Sequence, residues 1–412
     1  MFRMLASLVG LTLLALGPGA ARATELTVYH AWPNHVSWQS EIARRFTAEH
    51  PDVTIRFQAP ATDYNEGLIS VIRQSLAGTA PDVFMVGSHL VRELVSRGIV
   101  QPIDDLAAGR DMAALGYTPE VLAFTQVDGA QVGLPWTSST PVMFFNADLV
   151  RRAGGDPAAM PRTWDETIAL AGRIQALGEG VMGMYYTPGD DDWMTQNLLA
   201  NAGLKPLADD GTIAFATPGG RDALTLFERF HKEGGQTAIS DEDARQQMFA
   251  GKLGLYFNST AAVRSFEREI GPRFAWGTAV MPTLVPDGGV AAGGMAAVIL
   301  ASDPARRRAA FDYVLFGTSA ASQALIVENT GYMPVNTGAT ALLAPFYAEH
   351  PAFETSTKQL SRAYPWFGWP GRNGPRISRI VLDTMSGIAN GQITGAQGAA
   401  QAAREIEAQL PR

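Results

Sequence analysis

Side chains able to contact or convert a small molecule gather in a few places along the chain. The densest is Pro135-Trp-Thr-Ser-Ser-Thr-Pro-Val-Met-Phe-Phe-Asn146. Trp136 and three hydroxyls, Thr137, Ser138 and Ser139, lead into an apolar run from Val142 to Phe145. An indole and hydroxyls at the mouth of a buried strand can stack on and hydrogen-bond a polar solute. The same residues also fit a plain buried strand after a proline-bounded turn. A second group is Asp190-Asp-Asp192 before Trp193. Three adjacent acids can hold a cation, and they are also the charges favoured at a helix N-terminus. A third is His30 with His35, where no carboxylate intervenes to complete a zinc-type set.

Covalent chemistry finds little support. There is no G-x-x-x-x-G-K-[ST] loop, no H-E-x-x-H and no G-x-S-x-G elbow. Cysteine is absent, which removes disulfides, a thiolate nucleophile and thiolate metal ligation. Glu66, Asp128 and the acids 190–192 are loop-side carboxylates of the kind a glycoside hydrolase would pair. Each is also explained as a helix cap or a solvated residue. No metal and no cofactor is expected.

The 412 residues are too many for one simple core, so two or three domains are expected. A net charge of −8 argues against a nucleic-acid partner, which would need a basic face. Residues 1–23 read as a secretory signal: Arg3, an apolar stretch from Met4 to Leu16, and an A-x-A site at Ala21-Arg-Ala23. Cleavage would leave Thr24 first and shift the charge to −10. No cysteine follows the site to carry a lipid, and no later stretch reaches the ~18 uninterrupted apolar residues of a membrane span. The mature protein is expected to be periplasmic, of Gram-negative type, and monomeric.

These residues are positioned by alternating strands and helices. Glu25–Tyr29, Val53–Phe57 and Asp82–Val86 read as strands, and Trp38–Glu49, a helix from Tyr64 and Leu90–Arg97 as the intervening helices. Such alternation predicts βαβ units and a mostly parallel sheet. Ligands of such sheets bind beyond the carboxyl ends of the strands. That places the loops 29–35, 59–64 and 87–89, with Trp32, His35, Tyr64 and Ser88, on one edge. A helix-rich block follows residue 146, with a capping box predicted from Thr163 and Glu166. Phe274–Val280 and Gly293–Leu300 are expected to return to the first lobe, and 378–410 to be helical with a break near Gly391.

The chain resembles the extracellular solute-binding proteins (family 1) of carbohydrate-type ABC transporters, most of all the glycerol-3-phosphate-binding branch. The resemblance runs through Asp63-Tyr-Asn-Glu-Gly67, Gly78-Thr-Ala-Pro-Asp82, the 135–146 segment, Pro161-Arg-Thr-Trp-Asp165, Phe249-Ala-Gly-Lys252, Ala292-Gly-Gly294 and Thr330-Gly-Tyr-Met-Pro334. It implies a type II periplasmic binding protein fold: two interleaved α/β lobes joined by a hinge. The lobes would be 24–136 with 277–328, and 137–276 with 329–412. The branch's ligand contacts carry over to Tyr64, Ser138 or Ser139, Ser259, Gly293 or Gly294, and Tyr332. Its acidic contact falls near Ser88, so that carboxylate is missing. Its arginine is answered by Arg372, offset from the branch's position.

Trp32, Trp136, Trp193, Trp366 and Trp369 offer the flat faces that sugar rings pack against, or fill cores. Of these, Trp32, Trp193 and Trp369 join the candidate site, and His35 and Asp192 complete it. The function expected is capture of a sugar, polyol, glycosylglycerol or phosphoglycerol by hinge closure and delivery to permease subunits. The alternatives are a secreted carbohydrate-active enzyme and a binding protein that feeds a chemoreceptor.

Overall fold

The computed structural model describes residues 23–411 other than 179, 189 and 190. The secretory signal, apart from Ala23, and Asp190 lie outside the described residues.

Strand β1 (Thr24–His30) pairs in parallel with β2 (Val53–Phe57) and β3 (Val83–Gly87). Helix α1 (Val36–Glu49) crosses between β1 and β2, and α2 (Tyr64–Leu76) between β2 and β3. The helices form where the pattern changes from period 2 to period 3.6: Trp38, Ile42 and Phe46 line the buried stripe of α1. Asp63 caps α2 by accepting the Glu66 N–H at 2.8 Å. All five residues of β3 are buried, as a central strand requires. The strand Met295–Ile299 returns antiparallel beside β3 and then pairs with Leu134–Pro135, completing five strands.

The second sheet runs Trp276–Ala279, Pro141–Asn146, Leu253–Ser259, Met182–Tyr186. Two expectations change here. The stretch near 276 does not return to the first lobe, because Trp276 to Ala279 pair with Asn146 to Met143 in the second sheet. Met182–Tyr186, within the block read as helix-rich, is a strand buried along its whole length, so no alternation announces it. The Thr163 capping box is present. The tail forms two helices, Gly374–Ala389 and Gly395–Glu407, packed with Pro218–Lys232 of the second lobe.

The two sheets meet where the chain crosses between them. Ser139 exchanges two backbone hydrogen bonds with Gly293, both 2.9 Å, and Met333 N–H donates to the Ser138 carbonyl at 2.8 Å. Val290–Ala292 pairs in parallel with Ala363–Pro365. Among the described residues no single helix is long and apolar enough to cross a membrane.

Candidate ligand-binding cleft

A cleft of about 500 Å³ opens between the two sheets at their junction. Its first wall comes from the loop after β1 and the start of α2: Trp32, Asn34, His35 and Tyr64. Its floor is the crossing segments, with Ser139, Gly293, Gly294 and Tyr332. Its far wall comes from the second lobe. Asn34 and Arg268, both exposed, stand at the mouth on opposite sides.

The first wall is aromatic and without formal charge. Trp32 meets Tyr64 edge to face, 5.5 Å between centroids, and is held with φ +69°. His35 packs against Trp38 and Tyr332. Burial, with a smaller push from His30, lowers the His35 imidazole to about 3, so it is neutral at any ordinary pH. Its Nδ1 has no protein partner. Burial also pushes the Tyr332 phenol up to about 12 and raises that of Tyr64 well above its ordinary value. Both therefore act as hydroxyls.

On the second lobe, Trp193 opens the helix Trp193–Asn201. Its indole N–H donates to the Ala291 carbonyl at 3.1 Å, so toward the cleft it offers π surface and no donor. The indole fills the place a side chain at Gly293 would need, 2.8 Å from a Cβ there. The Ser259 hydroxyl accepts the Ala261 N–H at 3.1 Å and keeps its own proton to donate. The Gly293 N–H is spent on the Ser139 carbonyl and is not available to a ligand.

Nine of the fourteen candidates are thus brought together: Trp32, His35, Tyr64, Ser139, Trp193, Ser259, Gly293, Gly294 and Tyr332. Five lie elsewhere. Ser138 points into the interior, 1% exposed, because backbone alternation turns it away from Ser139. Ser88 lines a second cavity of about 410 Å³. Asp192 and Trp369 are buried behind the cleft and bonded to each other at 2.7 Å. Arg372 lines an outer groove of the first lobe, donating to the Ser96 carbonyl at 3.0 Å. Trp136 is a core residue, sealed against Gly317 and Tyr313. Glu66 and Asp128 serve as partners of Thr62 and Arg92, away from the cleft.

Sequence reading missed the polar far wall. Arg245, Arg264 and Arg268 line it with Asp241, Tyr256 and Asn258. Tyr256 donates to Asp241 at 2.9 Å, and Asn258 donates to the Tyr256 oxygen at 2.7 Å. All three arginines have partners: Arg264 bonds Glu267 and the Glu328 carbonyl, Arg245 bonds Glu242 and Arg268 bonds Glu269, while the Arg245 Nε itself has no protein partner. The available signal was spacing: 241 with 245 and 264 with 268 stand four apart, on one helix face each.

The sequence profile of the family described as bacterial extracellular solute-binding protein matches residues 32–324. The chain belongs to that family. The sn-glycerol-3-phosphate-binding periplasmic protein UgpB of Escherichia coli K12 is 26% identical over 409 residues, covering 93% of this chain and 92% of the relative. UgpB from Mycobacterium tuberculosis, solved in complex with glycerophosphocholine, superposes with a TM-score of 0.82 at 19% identity, covering 94% and 98%. Maltose-bound MalE3 of T. maritima gives 0.78 at 21%, covering 94% and 100%. The fold is therefore the α/β periplasmic binding protein fold. This family member is an extracellular solute-binding protein, and the family is not one of enzymes. Its UgpB relative is periplasmic by name.

Proposed function

We propose that this solute-binding protein captures a small carbohydrate-type solute and hands it to its permease subunits. The class runs from sugars and polyols to glycosyl- or phosphoglycerols. The observation that carries the reading is the composition of the cleft: aromatic faces and hydroxyls from two lobes surround one space of about 500 Å³. The lobes are those built on the two sheets, with Trp276–Ala279 in the second, closing as rigid bodies about the crossing segments. Only a solute that binds the closed arrangement better can drive closure. Export with cleavage after Ala23, into a periplasm, accords with the periplasmic relative.

A second reading, an anionic solute, is favoured by Arg245 and Arg268 on the far wall. It needs no contribution from Arg372. Thermal-shift screening of residues 24–412 against sugars, polyols, glycerol phosphates and glycerophosphodiesters tests both. A solute at 100 times its Kd should add about 2.7 kcal/mol of stability. A panel in which nothing shifts the transition sinks the carbohydrate reading; shifts confined to neutral sugars sink the anionic one.

A further inference from the structure

Behind the cleft wall lies a carboxylate that the solute cannot reach. Asp192 is fully buried and precedes the helix Trp193–Asn201. Its Oδ1 accepts the Trp366 indole N–H at 3.1 Å. Its Oδ2 accepts the Trp369 indole N–H at 2.7 Å and the Gln196 amide at 3.0 Å. The orientation of Gln196 is fixed from the other side: its Oε1 accepts the Phe367 N–H at 2.9 Å, so its NH₂ must face Asp192. The neighbours of Asp192 in these bonds are therefore donors only. That pattern suits an ionised carboxylate, with two acceptor oxygens and no proton of its own. Burial raises its pKa; the indole and amide donors, and the Ser378 hydroxyl beside it, oppose that shift.

The ring held in this way is the one that touches everything. Trp366 lines the solute cleft on one side and the cavity of Ser88 on the other. The first lobe's His89 stacks on it, 3.4 Å between centroids and 20° from parallel. Tyr64 and Trp193, both cleft residues, lie 6.3 and 6.1 Å from it. Its backbone N–H donates to the Ala292 carbonyl in the crossing segment at 2.8 Å. The orientation of Trp366 thus shapes the cleft at the point where both lobes and the crossing strands meet.

We propose that Asp192 is a positioning residue of the binding site: by accepting both the Trp366 and Trp369 indole N–H groups it aims Trp366 into the cleft wall, and so sets solute affinity without touching the solute. The inference rests on the solute-binding reading of the cleft. Asparagine is the informative replacement. It is isosteric but supplies one acceptor and one NH₂, which would oppose an indole N–H donor to donor.

The test combines an indole spectrum with a binding cycle. In ¹H–¹⁵N spectra of the wild-type protein, the Trp366 and Trp369 indole N–H signals should lie downfield of the other tryptophans and exchange slowly with solvent. Assignment uses the Trp366→Phe and Trp369→Phe proteins. This part needs neither a bound solute nor an Asp192 variant, so it stands if the solute panel fails or if Asp192→Asn does not fold. With the first panel solute that binds the wild type, calorimetry should show Asp192→Asn raising Kd at least tenfold. In the Trp366→Phe background the same change should raise Kd by twofold or less, since a residue acting through Trp366 loses its effect once that ring is gone. Either indole exchanging as fast as an exposed one overturns the proposal, as does an Asp192→Asn Kd within twofold of wild type or an undiminished effect in the Trp366→Phe background. If no panel solute binds the wild type while both indoles are protected, the solute reading falls and the Asp192 contact stands.

Discussion

At Trp32 the backbone and the side chain make opposing demands. The ring is wanted on the cleft wall, against Tyr64, but the residue carries φ +69° and ψ +97°. Such a conformation costs a bulky L-residue about 1–3 kcal/mol and persists only when the surroundings fix it. They do: its N–H donates to the Ala61 carbonyl at 2.8 Å and its carbonyl accepts the His35 N–H at 3.0 Å. Trp32→Ala and Trp32→Gly both remove the ring, and only glycine also relaxes the backbone. Glycine should therefore be the more stable of the two by about 1 kcal/mol in urea unfolding, the reverse of the usual order. Both variants should weaken solute binding in calorimetry. A second prediction concerns Trp193. Its replacement by alanine removes a π face and leaves Gly293 beside a void, so Kd should rise roughly tenfold, about 1.4 kcal/mol, with the fold intact by circular dichroism. Trp32, Tyr64 and Trp193 were legible because they sit at strand ends or a helix start, which local pattern locates. Asp192 was misread as a cleft residue. Its partners Trp366 and Trp369 lie 174 and 177 residues away, and no local pattern reports such a contact.

At the scale of elements, legibility followed amphipathicity. α1 and α2 carry one apolar stripe each, and Asp63 and Thr163 mark helix starts with side chains that accept backbone N–H groups. Met182–Tyr186 is buried on both faces and has no period to read. Trp276–Ala279 was recognisable as a strand, but its partner is a tertiary fact: antiparallel register with 143–146. The Thr163 cap gives a prediction that separates fold from site. Thr163→Ala leaves the start of the helix Trp164–Gln175 without its cap and should cost about 1 kcal/mol in urea unfolding. Thr163 does not line the cleft, so Kd should stay within twofold of wild type.

For the molecule as a whole, buried imidazoles contribute to its response to acid, and burial lowers His30, His35 and His89 alike. Burial lowers His35 and His89 to about 3 from an ordinary value of 6.5. Between those values these two side chains bind two protons in the unfolded chain that they do not bind in the folded one, so their contribution to stability falls as pH falls from 6.5 toward 3. The slope is about 1.4 kcal/mol per pH unit for each group. Urea unfolding at pH 7, 6 and 5 should show His89→Phe, which preserves a ring against Trp366, losing stability less steeply than wild type. Solute affinity should be flat across the same range if it depends on His35, because that ring stays neutral throughout.

The cleft mouth also makes this protein a ready reporter. Asn34 and Arg268 stand exposed on opposite lobes, and the chain has no cysteine of its own. A cysteine placed at each would be the sole targets for a donor and an acceptor dye. On the proposed closure, the gap between 34 and 268 would narrow, and energy transfer between the dyes would read out solute concentration directly, molecule by molecule.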